Sequence, residues 1–452
     1  FLGAGMLSDI SAQDFSLQAD TLNEARLPAQ WDLQSCIDYA LEQNITIRKN
    51  RVTAESTQID VKTAKAALFP SLSFSTSQQV VNRPYQETSS RVSGSEIISS
   101  NSKTSYNGNY GLNASWTIYN GSKRLKTLKQ ERLNNQVAEL DVATSENTIK
   151  ESIAQIYIQI LYAAESVRVN ENTLQVSIAQ RDRGQELLNA GSIAKSDLAQ
   201  LEAQVSTDRY QLVTAQATLQ DYKLQLKQLL ELDGENEMNV YLPKLSDENV
   251  LAPLPAKKDV YVSALAIRPE IEASKLNVEA SELGIDIAKS SYFPTISLSA
   301  GIGTNHTSGS DFTFGEQVKN GWNNSIGLSV SVPIFNNRQT KSAVQKAKLQ
   351  RETDMLSLLD EQKALYKTIE SLWLDANSAQ QRYAAANEKL RSTQISYDLI
   401  SEQFNLGMKN TVELLTEKNN LLQAQQEQLQ AKYMAILNTQ LLKFYQGDKL
   451  TL

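Results

Sequence analysis

The sequence predicts an α+β membrane chain in which long antiparallel helical hairpins are joined to four short strands belonging to a barrel shared between copies. Three observations predict it. Proline is missing over very long stretches, four segments alternate apolar with small polar residues, and the two halves of the chain repeat one order of motifs.

The first segment, residues 1–30, is expected to be extended. From Phe1 to Ala12 it lacks the basic head of a signal peptide and reads either as the tail of one or as the plain start of the chain. Residues 31–242 then form a first structural repeat of helix, two strands, long helix, turn and helix. It opens on Trp31-Asp32-Leu33, an amphipathic helical pattern in which Cys36 is a small packed side chain. One cysteine makes no internal disulfide and says nothing about redox compartment.

Two strands follow. Leu72 and Phe74 alternate with Ser71, Ser73 and Ser75, and Tyr110, Leu112, Ala114, Trp116 and Ile118 alternate with Gly111, Asn113, Ser115 and Thr117. A period of two with one apolar face is the signature of a half-buried strand. Residues 82–105 between them read as a polar outward loop.

The long helix comes next. No proline lies between Pro84 and Pro243, and from Ser122 to Leu188 the only glycine is Gly184. Proline costs ~3 kcal/mol inside a helix, so its absence permits one on the order of 100 Å long at ~1.5 Å per residue. Ala190-Gly191-Ser192 closes it as a left-handed helix cap, and a second helical run follows from Lys195 to Leu232. Sparse apolar residues among Ala, Ser and Gln suit narrow coiled-coil seams.

Residues 243–258, with Pro243, Pro253 and Pro255, form the linker between repeats. Residues 259–452 are the second repeat. Phe293-Pro294-Thr295-Ile296-Ser297 answers Phe69-Pro70-Ser71-Leu72-Ser73, and Ile334-Phe335-Asn336 answers Ile118-Tyr119-Asn120. Its strands are Ile296 to Ile302 and Ile326 to Ile334, separated by an outward loop over 304–323 that holds the single histidine, His306. Gln339 to Leu406 has no glycine, Leu406-Gly407-Met408 makes the second reversal, and Thr411 to Tyr445 is the last helix.

No stretch approaches the ~18 apolar residues of a spanning helix, so a membrane crossing requires a closed barrel. Four strands do not close one; three copies supply 12, an ordinary outer-membrane size. Composition narrows the rest. With 44 basic against 51 acidic side chains and a net charge of −7, no nucleic-acid footprint is present. One histidine supports neither a metal cluster nor a catalytic triad, no GxxxxGK[ST] motif is present, and no cofactor is expected. Lys123, Arg124, Lys126, Lys129 and Arg338, Lys341, Lys346, Lys348 read as a solvated helix surface, with lipid headgroups as the alternative.

The paired Phe-Pro strand starts, the two glycine turns and Phe404-Asn405-Leu406-Gly407-Met408-Lys409-Asn410-Thr411-Val412-Glu413-Leu414-Leu415 together resemble the TolC family of outer-membrane efflux proteins, over residues 31–447. The resemblance implies a homotrimer with a 12-stranded β-barrel in the outer membrane and a 12-helix α-barrel across the periplasm. It further implies a passive exit duct for drugs, small molecules or proteins, coupled through a periplasmic adaptor to an inner-membrane pump. By the same resemblance Glu413 stands at the pore constriction, while Thr416 replaces a second carboxylate. Lys409, Asp197 and Ser196 stand at gate links, and Phe404 replaces a tyrosine of the closing contacts. Ala190, Gly191, Ser192, Leu406, Gly407 and Met408 form the adaptor-facing tips. A trimeric coiled-coil or adhesin-like structural protein is the alternative; it explains the helices but not the matched strands.

Overall fold

The computed structural model describes residues 28–85, 89–93, 96–100, 103–233, 238–243, 250–308, 310 and 312–451. The extended reading of residues 1–27, and residues 244–249 of the 243–258 linker, lie outside them.

Each repeat opens on two helices where the sequence suggests one: α1 (Leu33–Gln43) and α2 (Ile45–Ala66), then α5 (Lys257–Ile267) and α6 (Pro269–Ser290). The breaks have local causes. The Asn44 carboxamide accepts from the Thr46 amide at 2.9 Å and donates to the Leu229 carbonyl at 3.0 Å, diverting the backbone from helical bonding. In the second repeat Pro269 takes the first helical position after Arg268.

The long helices match their glycine and proline boundaries closely. They are α3 (Lys123–Asn189), α4 (Lys195–Leu229), α8 (Gln339–Asn405) and α9 (Thr411–Gln446), with α3 and α8 each 67 residues. No described helix is long and apolar enough to cross a membrane.

The chain divides into two compact units. One takes residues through Arg48, Glu146–Ala264 and Lys367–Leu452; the other takes Lys49–Ser145 and Leu265–Tyr366. In the first, Trp31 bridges Val240, and the Tyr157 hydroxyl donates to the Tyr241 carbonyl at 2.6 Å. Cys36 is fully buried there, and desolvation pushes its thiol up to about 12.

The second unit holds an antiparallel sheet in the order β1–β4–β5–β6: β1 (Ser71–Asn82), β4 (Thr104–Asn120), β5 (Thr295–Thr307) and β6 (Asn323–Ser331). β6 stops before Pro333, which has no amide to donate. The register sorts the two faces into rows. Leu72, Ala114, Ala300 and Ile326 pair across the sheet, as do Phe74, Leu112 and Ile302. The opposite face stacks Ser71, Ser115, Ser299 and Gly327, then Ser73, Asn113, Gly301 and Ser325. Hydroxyls on that face bond along the rows, as at Ser71 and Ser115, 2.8 Å apart. The apolar row stays uncovered in the single chain: Leu72 is 70% exposed and Ile326 78%.

Three loop expectations need correction. Residues 82–105 are not a plain loop, because β1 and β4 extend into the range and a hairpin of β2 (Ser89–Ser93) and β3 (Glu96–Ser100) lies within it. The β-branched residues Val92, Ile97 and Ile98 carry that strand preference. Residues 304–323 contain a short helix, α7 (Phe314–Asn320), started by a capping box in which Glu316 Oε2 accepts from the Thr313 amide at 2.8 Å. His306 belongs to β5, not to a loop. It pairs with Gly108, where an added Cβ would lie 2.2 Å from the imidazole, and it stacks on Tyr110 at 5.9 Å.

Sheet and long helices join through one turn used twice. Gly121 and Ser122 precede α3 with φ of 67° and 64°; Asn337 and Arg338 precede α8 with φ of 50° and 67°. Among the basic residues beyond these turns, Arg124 donates to the Ala67 carbonyl at 2.6 Å and Lys126 lies 3.7 Å from Asp286. The Ser290 hydroxyl donates to the Gly121 carbonyl at 2.9 Å, and a Cβ at Gly121 would fall 2.6 Å from the Ser290 carbonyl oxygen. Gly121→Ala therefore combines left-handed strain with a backbone collision and should destabilise by about 2–3 kcal/mol. Asn337→Gly, relieving strain alone, should not. The temperature at which the folded form is lost in detergent measures both, and equal behaviour of the two variants would contradict the account.

Candidate functional site

The sequence-predicted site residues gather at two helix reversals, Asn189 to Lys195 and Asn405 to Thr411. Both are built alike. Gly191 and Gly407 take φ of 74° and 72° with open space around them, so glycine is there for its backbone freedom and not for room. The Ser192 amide donates back to the Leu187 carbonyl at 2.8 Å and Gly191 to Leu188 at 2.9 Å; Met408 to Gln403 and Gly407 to Phe404 repeat the pair at 2.8 and 2.9 Å. These double bonds satisfy the last carbonyls of α3 and α8. Ala190, Gly191 and Ser192 are exposed, and so are the apolar tips Leu406 (69%) and Met408 (71%).

The next helices start on carboxylates at equivalent positions. Asp197 accepts from the Ala194 amide at 3.0 Å, and Glu413 Oε2 accepts from the Asn410 amide at 3.3 Å while Asn410 Oδ1 caps the Glu413 amide at 2.9 Å. Two residues singled out for a gate thus also hold helix N-termini, where negative charge meets the positive end of the dipole. The second carboxylate oxygen of Glu413 takes the Lys409 ammonium at 2.6 Å. That bond, with the Asn410 amide behind it, holds the Glu413 carboxyl below its usual range. Within one chain Lys409 therefore pairs with Glu413 and not with Asp197, while Ser196 is exposed. Thr416 turns inward to its own helix, donating to the Val412 carbonyl at 2.8 Å.

Phe404 serves as packing. It is 2% exposed and forms a small core with Leu201 and Leu414, flanked by Leu187, Tyr397 and Ile400, so four helices from both repeats meet on it. Gly184 permits the approach, since a Cβ there would lie 2.4 Å from Leu201 Cδ1. Seven residues before Phe404 on α8, the Tyr397 hydroxyl accepts from Gln180 Nε2 at 2.8 Å and adds a polar contact beside this core.

Sequence reasoning missed a second junction of the same helices: Asp208 on α4, Lys418 on α9 and Ser177 on α3 are buried together. A signal was present. Asp208 continues the apolar stripe Leu198, Leu201, Val205, and Lys418 sits between Leu414 and Leu421 or Leu422, so opposite charges occupy core positions. Among the described residues no group of His, Cys, Asp and Glu is arranged to hold a metal.

A family model described as outer membrane efflux protein matches residues 36–231 and 260–447. The outer membrane efflux protein BepC of Brucella suis is 26% identical over 294 residues, covering 65% of this chain and 61% of BepC. The outer membrane protein TolC of Escherichia coli is 24% identical over 341 residues, covering 72% of this chain and 66% of TolC. The matched region thus spans just under two thirds of each of these relatives. Among solved structures, the transmembrane channel CusC superposes with a TM-score of 0.78 at 19% identity over 92% of both chains.

Truncating the ring at the helical junction should loosen the reversals. Phe404→Ala is expected to cost about 3–5 kcal/mol of local packing. Limited trypsinolysis at Lys195 and Lys409 reads it out: cleavage should accelerate at least tenfold, and a wild-type digestion rate would remove the packing role.

Proposed function

Because this chain belongs to the outer membrane efflux protein family, we propose that it is one subunit of a trimeric exit duct in the outer membrane. The duct passes drugs, other small molecules or proteins from periplasm to exterior for a tripartite efflux or type I secretion system. The observation that carries this reading is the sheet. Its four strands leave β1 and β6 with one neighbour each, one face is apolar and uncovered, and the other is lined with hydroxyls and glycine. In hydrocarbon both edges need partners, and copies of the chain provide them by pairing β6 of one subunit with β1 of the next. An adhesin-like coiled coil gives no use for an uncovered apolar sheet face.

In this reading the glycine reversals form the periplasmic tips. Exposed Leu406, Met408 and Val412 supply apolar contact for a periplasmic adaptor, through which an inner-membrane pump provides the energy. Glu413 lines the constriction once per subunit, and three carboxylates around a narrow axis favour cations. Lys409, Asp197 and Ser196 contribute weak polar links suited to a gate that has to open.

In planar bilayers the purified protein should form channels as a stable, heat-modifiable trimer; a monomer soluble without detergent would end the reading. Glu413→Ala should weaken cation preference and divalent block, and unchanged reversal potentials would count against the constriction. The pH dependence has a definite sign. Lys409 keeps the Glu413 carboxyl ionised below the ordinary carboxylate range, so cation preference fades only as pH falls through that depressed value. Lys409→Ala should move the fade to higher pH; an unmoved profile refutes the coupling.

A further inference from the structure

Three helices drawn from both repeats close around a buried ion pair. Lys418 on α9 is 3% exposed, Asp208 on α4 1% and Ser177 on α3 2%. The Lys418 ammonium donates to Asp208 Oδ2 and to the Ser177 hydroxyl. Ser177 in turn donates to Asp208 Oδ2 at 2.5 Å. The other carboxylate oxygen accepts from Gln204 Nε2 at 2.9 Å, so both oxygens of Asp208 are occupied.

Such a cluster is poorly explained as a source of stability. Taking two charges out of water costs about what their attraction returns, and apolar side chains of similar size commonly do as well or better. What a point contact adds is register. The apolar stripes around it, Leu198, Leu201 and Val205 on α4 and Leu414 and Leu421 on α9, are aliphatic throughout, so a slide or turn by a residue or two still sets apolar surface against apolar surface. An ammonium and a carboxylate displaced by the same amount are left buried and unpaired, so only one placement of α9 satisfies them. Lys418 stands on the same rigid helix as Glu413, little more than one turn away. Fixing one fixes the other.

We propose that Lys418, Asp208 and Ser177 are positioning residues of the gate: they hold α9 at one register against the α3–α4 hairpin and so set Glu413 at one height in the closed tip. The proposal rests on reading the tips as the gate of a duct.

The test uses the full-length trimer in planar bilayers with Lys418→Met/Asp208→Leu, which removes both charges and keeps the junction filled. Expected is a trimer as heat-stable as wild type whose closed-state conductance rises at least fivefold and scatters over several levels. The exchanged pair Lys418→Asp/Asp208→Lys should return towards one low level. Ser177→Ala, a lighter lesion that spares both charges, should raise closed-state conductance about twofold and serves if the double variant does not assemble. Wild-type conductance in a folded double variant, or in Ser177→Ala where that is the variant measured, overturns the positioning role and leaves the duct untouched. A wild-type trimer that never conducts removes the duct itself and this proposal with it.

Discussion

Backbone hydrogen bonding in hydrocarbon is the constraint from which the rest of the molecule follows. Each amide and carbonyl of a strand surrounded by lipid needs a partner, because no water is there to supply one. Four strands with two single-neighbour edges satisfy their inner groups and leave the outer rows of β1 and β6 open within the described sheet. The apolar rows through Leu72 and Ile326 make sense on the same terms. They are uncovered in the single chain because lipid, and not a second sheet, is their solvent.

Small residues do the complementary work on the other face. Serine hydroxyls donate to neighbouring carbonyls, as Ser73 to Asn113 and Ser299 to Gly327, the Asn113 carboxamide donates to the Ser75 hydroxyl, and none of these side chains carries a formal charge.

At the helix reversals the same few residues serve structure and electrostatics together. Asp197 and Glu413 cap helix starts, and Glu413 also binds Lys409, so its charge is held in place by the turn it helps to form. Phe404 brings four helices together through an apolar contact, and Tyr397 and Gln180 add a polar one. Electrostatics at the turns is thus inseparable from their folding.

Much of this was legible from residue order. Missing prolines and the Gly191 and Gly407 reversals located α3, α4, α8 and α9 to within a few residues, because helix propensity and left-handed caps are local properties. Alternation found the four long strands for the same reason but not their ends: β1 runs on to Asn82, and β6 stops at Ser331, short of the expected Ile334. What the sequence did not decide was which groups meet. The pairing of Lys409 with Glu413, the place of His306 over Gly108, and the buried Lys418–Asp208–Ser177 cluster all depend on how helices and strands are brought together over long separations. A charge on an apolar stripe shows in one dimension that something buried needs an opposite partner. Only the packed helices determine that the partner of Lys418 is Asp208, because burial, and with it the cost of standing alone, exists only after they have closed around it.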